Sequence, residues 1–371
     1  MERTTTSHSR GASRRQTLRN LGVQIAALSI LATLSAQRTN AQSYTVTEFP
    51  NGPVGVAING GGQFCGYGSK GEELWTPKKP NGPTGKAVKL PPLPATGKWS
   101  SDAYADSLNS SGTVAGYTQF SKQVGKIYGV PQYTFTYTAT VWQNAAPIAL
   151  PSGGSNSWAN GINSSGDVVG EIQGVATLWH NGVATSLSTP TNCTSTAYAI
   201  NDAGQIVGGI YDASGVNHAT LWMNGTAYDL GTLSSFTWGI AVGINNAGLV
   251  TGDVVGTDST GTVITHAFLW TPKTPNGVQG TMMDLSMLPG TDDSYAYSIN
   301  SSGQVVGMVV LESRYSPCAF IWDSVHGMRD LNTLLPAAYA NIPFWYAYSI
   351  NDSGQIVGMW GDNGARLLTP Q

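Results

Sequence analysis

The side chains able to do chemistry in this chain are few and widely spaced. Beyond the first forty residues the histidines are His180, His218, His266 and His326. No His-x-His or His-Glu-x-x-His spacing joins them, so zinc ligation has no pattern to rest on. His218 and His266 each stand four residues before a tryptophan, Trp222 and Trp270, in two separate copies of a repeat. Structural or surface roles are expected for all four. Asp202 and Asp352 sit in Asn-Asp-x-Gly strings that resemble part of a calcium loop, but equivalent positions elsewhere carry Gly60, Ser110, Ser164, Asn246 and Ser301. An obligatory calcium ligand would not vary in this way. Nucleophile elbows and phosphate loops need a strand–turn–helix context that is missing. No metal or cofactor is expected.

What remains is aromatic and carboxylate chemistry on variable loops. Trp99, Trp158, Phe236, Trp238, Tyr295, Phe344, Trp345 and Tyr346 stand there with Asp102, Asp292 and Asp293, beside a Tyr-rich excursion from Tyr117 to Tyr137. Aromatic faces beside neutral polar groups suit sugar or peptide surfaces. The candidate ligand-binding residues are Trp99, Trp158, Trp238, Tyr295, Trp345, Asp292 and Asp293. If glycan cleavage were the task, Asp102, Asp292 and Asp293 would supply acid and base, and two of them would have to flank one cleft at about 5–9.5 Å.

These residues are positioned by a repeat. Asn59, Asn109, Asn163, Asn201, Asn245, Asn300 and Asn351 each have glycine three and seven residues later, and each follows Ile, or Leu108 in one copy. Asn accepts hydrogen bonds from the backbone that follows it, and Gly in the fourth place allows a left-handed residue, so each copy reads as a tight hairpin. Four residues before the Asn stands Ala, or Gly55 once; two before stands Ala, Ser or Gly. An inner strand crowded against a packing axis would need such small residues. A Leu-Trp-type strand follows each hairpin at Trp75, Trp142, Trp179, Trp222, Trp270 and Trp322, with Leu367-Leu368 in the last copy, and a fourth short strand follows it. These tryptophans recur with the framework and are expected in inter-blade packing.

Four strands per repeat of 38–55 residues is the dimension of a propeller blade. The last repeat ends before its fourth strand, and the orphan segment Tyr44–Phe49 is spaced to supply it. The expected fold is all-β: a seven-bladed β-propeller of four-stranded blades, the last completed by the N-terminal strand, in one domain over 42–371. Ser13-Arg14-Arg15-Gln16-Thr17-Leu18-Arg19 and the uncharged run 21–34 form an export signal over 1–41, similar to a twin-arginine signal although Thr17 replaces the usual Phe. Its arginines (3, 10, 14, 15, 19, 38) and Glu2 leave with it. The 18 basic and 21 acidic residues of the whole then fall to 12 and 20, a net charge of −8. Nucleic-acid binding loses its electrostatic basis, and no run is long enough to span a membrane as a helix. Cys65, Cys193 and Cys318 form no CxxC pair and are expected as small core residues with at most one bridge.

Thr265-His266-Ala267-Phe268-Leu269-Trp270, Cys318-Ala319-Phe320-Ile321-Trp322 and Asn217-His218-Ala219-Thr220-Leu221-Trp222 resemble the HAF repeat of bacterial extracellular proteins. There a His-Ala-Phe strand alternates with the Ile-Asn-x-x-Gly-x-x-x-Gly hairpin and an Asp-Leu-Gly strand. The resemblance spans roughly 44–371 and implies export, to the periplasm or beyond, and repeat architecture. It brings no catalytic residues. The expectation is a non-enzymatic binding or interaction scaffold for a polysaccharide, peptide or protein on the variable-loop rim, with an extracellular glycan hydrolase or lyase as the alternative.

Overall fold

A computed structural model describes residues 43–50, 52–128, 130–311 and 316–371; the export signal expected over 1–41 lies outside them. Among the described residues twenty-eight strands form seven four-stranded antiparallel sheets, the blades of a β-propeller. The inner strands of blades 1 to 7 are Val54–Ile58, Ser100–Leu108, Ser157–Ile162, Thr194–Ile200, Phe236–Ile244, Thr291–Ile299 and Phe344–Ile350. Blade 7 takes its outermost strand from the other end of the chain: Tyr44–Glu48 pairs with Arg366–Pro370, Tyr44 opposite Pro370 and Glu48 opposite Arg366.

The repeat glycines explain why the sequence folds this way. Gly62 and its six counterparts all have positive φ, 74–86°, and close a type I turn with a bulge in which the Gly amide bonds back to the Asn carbonyl (Gly303 N to Asn300 O, 3.0 Å). The second glycine faces a different constraint. A Cβ on Gly307 would lie 1.9 Å from the Tyr295 carbonyl oxygen, and one on Gly358 1.8 Å from that of Tyr346. The cause is a β-bulge in every inner strand, three residues before the Asn, which brings a carbonyl down onto the neighbouring strand. Period-two alternation, read alone, does not reveal this bulge.

The repeat asparagines close the ring. Each donates from Nδ2 to the backbone carbonyl of the next blade's Asn: Asn59 to Asn109 (2.9 Å), Asn109 to Asn163 (3.1 Å), Asn163 to Asn201 (3.3 Å) and Asn201 to Asn245 (3.1 Å). Asn245 continues to Asn300 (3.0 Å), Asn300 to Asn351 (3.2 Å), and Asn351 returns to Asn59 (3.0 Å). Their Oδ1 atoms accept from the amide four residues on, as Gln205 N to Asn201 at 2.9 Å. Asn109, Asn163 and Asn300, each of which begins an Asn-Ser-Ser string of the glycosylation-acceptor type, are therefore buried members of this belt. Asp202 and Asp352 staple neighbouring turns, accepting from Ser164 N (2.9 Å) and Ser301 N (2.8 Å).

The core lies between blades rather than inside any one. Leu221 and Ala219 of blade 4 pack on Ala241, Val250 and Val254 of blade 5, together with Phe268 and Trp270. All six repeat tryptophans are buried, and three of their indoles donate to carbonyls in inter-blade connections: Trp142 to Pro91, Trp179 to Pro151 and Trp222 to Ser188. All three cysteines are free; Cys65 and Cys318 are buried and Cys193 is half-buried. Among the described residues no helix is long and apolar enough to cross a membrane.

Candidate functional site

The belt occupies one rim. The opposite rim carries the connections into each inner strand and out of each second strand, and its largest departure from the repeat is in blade 2. There the second and third strands, Val114–Ile127 and Val130–Gln143, each run 14 residues and extend as a two-stranded arm. The register sets Gln119 opposite Tyr137, Ser121 opposite Phe135 and Gln123 opposite Tyr133, so these six share one face of the arm. Antiparallel partners share a face because side chains alternate across the sheet. Tyr133 and Phe135 are exposed. The stripe continues inward: Tyr137 meets Tyr117 (6.0 Å between centroids), Tyr117 stacks on Tyr104 (4.8 Å), and Tyr137 also packs on Trp158 of blade 3 (5.0 Å). Asp102 stands opposite Gln119 on the inner strand, next to the stripe.

The other expected site residues are distributed around the rim. Trp99 in blade 2 lies under the Lys122 ammonium, 5.8 Å from the ring centroid. Trp238 in blade 5 meets Tyr211 edge-on at 6.2 Å, beside a groove of about 310 Å³. Tyr295 in blade 6 bonds through its hydroxyl to Thr265 Oγ1 (3.4 Å), and Asp293 Oδ1 accepts from Thr265 N (2.7 Å), a bond between blades; Asp292 is exposed. Trp345 in blade 7 lies close to Gly361. Trp158 and Trp345 are half-buried, so neither is lost to the inter-blade core. Only Trp158 joins the stripe, and the carboxylates fall into blade 2 (Asp102) and blade 6 (Asp292, Asp293). The four histidines among the described residues each meet a carboxylate: His180 with Asp167, His218 with Asp212 and Asp229, His266 with Asp284, His326 with Asp323. Among the described residues no group of three or more His, Cys, Asp or Glu could hold a metal ion.

The bulges create features that sequence reasoning missed. A cavity of about 200 Å³ on the propeller axis is lined by all seven bulge residues: Val56, Asp106, Asn160, Tyr198, Val242, Tyr297 and Tyr348. Asp106 is exposed to this cavity, yet the protein around it partly desolvates the carboxyl and raises it to about 7. Behind it lies Glu72, only 6% exposed. Burial first, then the Asp106 charge, raises Glu72 to about 7, and its Oε2 has no hydrogen-bond partner. Asp253, between blades 5 and 6, is raised by burial to about 8 and accepts one bond, from Ala296 N at 2.8 Å. A groove of about 790 Å³ between blades 7 and 1 adjoins the axial cavity, sharing Val56 and Tyr348 with it. One signal was available in the sequence: the bulge position varies from Val to Asp to Tyr between two positions held small.

No protein-family model matches the chain, and no curated protein matches it.

Proposed function

We propose that this chain is an exported, non-enzymatic scaffold that binds an extended polysaccharide on the variable rim, with the blade 2 arm as the principal contact. The observation carrying this reading is the aromatic stripe from Tyr133 through Phe135 and Tyr137 to Tyr117, Tyr104 and Trp158. Amide and hydroxyl groups of Gln119, Ser121 and Gln123 flank it. Aromatic rings stack on the apolar faces of sugar rings while neutral polar groups satisfy hydroxyls. The export signal and the HAF-like repeat support a periplasmic or extracellular setting, where such polymers are met. The rim acids give the cleavage alternative less support, since Asp293 is engaged in an inter-blade bond and Asp102 lies in another blade.

A glycan array probed with the mature chain tests the reading, using Phe135→Ala, Trp158→Ala and, away from the stripe, Trp345→Ala. Loss of bound glycans in the first two and retention in the third is expected. An array with no bound glycan, or binding unchanged in Phe135→Ala and Trp158→Ala, would overturn it. Release of shortened products from a bound glycan would favour the hydrolase or lyase.

A further inference from the structure

The axial cavity has one charged wall. Of the described residues lining it only Asp106 carries a charge; the rest are tyrosines, Asn160, small residues and aliphatics. Among the described residues no ion pair engages Asp106. Its charge is felt by Glu72, Cys65 and Tyr117, all acids. Glu72 is more than nine-tenths buried behind it with an unpartnered oxygen. A carboxyl pair held in the wall of a cavity without a cation is costly unless something compensates it. Tyr198, Tyr297 and Tyr348 also line the cavity, and tyrosine rings attract organic cations through their negative faces. A hard metal ion would want several oxygen ligands in a shell, whereas one carboxylate edge and three tyrosines suit an ammonium group.

The adjoining groove defines the rest of the ligand. It is lined by Phe49, Pro50, Val54 and Met359 as well as the shared Val56 and Tyr348. The one cation among its described lining residues, Arg366, is already engaged, bidentate with Asp362 (2.6 and 2.7 Å) and bonded to Glu48 (3.1 Å). We propose that the axial cavity binds an organic ammonium ion, its charged head against Asp106 with Glu72 behind, and its apolar tail in the groove between blades 7 and 1. This site is separate from the aromatic stripe of blade 2 and stands or falls independently of polysaccharide binding.

Calorimetric titration of the mature chain with n-hexylammonium, n-hexanol and methylammonium tests the proposal. The charged head is expected to bind about 10- to 100-fold more tightly than the isosteric alcohol, the range of a charge-assisted hydrogen bond. Methylammonium, lacking the tail, should bind at least about tenfold more weakly than n-hexylammonium, since each buried CH₂ contributes roughly 0.8 kcal/mol. Asp106→Asn keeps the shape of the wall and should bring n-hexylammonium down to the affinity of n-hexanol; Glu72→Gln should give a smaller loss. Thermal midpoints of both variants report folding. Equal affinity for n-hexanol and n-hexylammonium by the unaltered chain, which needs no variant to fold, would overturn the proposal. So would unchanged binding in a folded Asp106→Asn, or absence of n-hexylammonium binding at millimolar concentration. Equal binding of methylammonium would overturn the assignment of the groove.

Discussion

Asp253 makes the stability of this propeller depend on pH in the direction opposite to most carboxylates. Its carboxyl is buried between blades 5 and 6, with one backbone donor, Ala296 N, and Tyr297 nearby. Burial raises it from an ordinary 3.8 to about 8. Between those values the folded chain holds the proton that the unfolded chain has released. Stability from this group is thus fully present below about pH 4 and is lost as pH rises toward 8. The slope is about 1.4 kcal/mol per pH unit, so pH 5 to 7 corresponds to about 3 kcal/mol at most, less whatever local relaxation recovers. Glu72 and Asp106, each raised to about 7, add to the same trend. Asp362 acts oppositely, since hydrogen bonding from Arg366 lowers it to about 2, but its effect falls below pH 4. In Asp253→Asn the side-chain oxygen can still accept from Ala296 N, while the amide cannot ionise. The variant's advantage over the unaltered chain should widen by about 2–4 kcal/mol between pH 5 and pH 8. Urea unfolding midpoints at pH 5, 6, 7 and 8 measure this. A difference between the two chains that stays constant across that range would refute the reasoning.

Three further outcomes follow from the ring. Asn300→Ala removes bonds to Asn351 O, Gln304 Oε1, Ser302 N and Gln304 N, and should cost about 2–4 kcal/mol in urea unfolding, given about 1 kcal/mol per bond and a penalty for groups left bare; a loss under about 0.5 kcal/mol would deny the belt a role. Gly307→Ala sets a methyl against the Tyr295 carbonyl and should cost about 3 kcal/mol or prevent folding, whereas Gly125→Ala, with nothing within 4 Å, should be silent in the same assay. Removing 44–48 strips blade 7 of its outer strand and bares the edge of Arg366–Pro370; size-exclusion chromatography should then show self-association, and a stable monomer would contradict the closure argument.

Much of this molecule was legible in its sequence because the repeat is local. An Asn, a Gly three later and small residues at alternate positions dictate a hairpin and a crowded strand through short-range sterics and hydrogen bonds, and seven copies dictate seven blades. The orphan Tyr44–Glu48 segment even made the completion of blade 7 readable. The arm was visible only as a Tyr-rich stretch; its register, which puts Tyr133, Phe135 and Tyr137 on one face with Gln119, Ser121 and Gln123, depends on pairing across the hairpin. The expected rim residues Trp238, Tyr295 and Trp345 proved to lie in blades 5, 6 and 7, away from that stripe. Glu72 and Asp253 gave no signal, and Asp106 only the variability of its position, because an acid's environment is set by neighbours distant in the chain: Glu72 and Asp106 are 34 positions apart and meet only when blade 1 packs on blade 2. The sequence by itself determined the hairpins, their number and the all-β ring. The tertiary structure decided what the ring encloses, since a bulge repeated seven times turns one variable residue per blade toward a common axis, and only packing in three dimensions can bring seven such residues around one cavity.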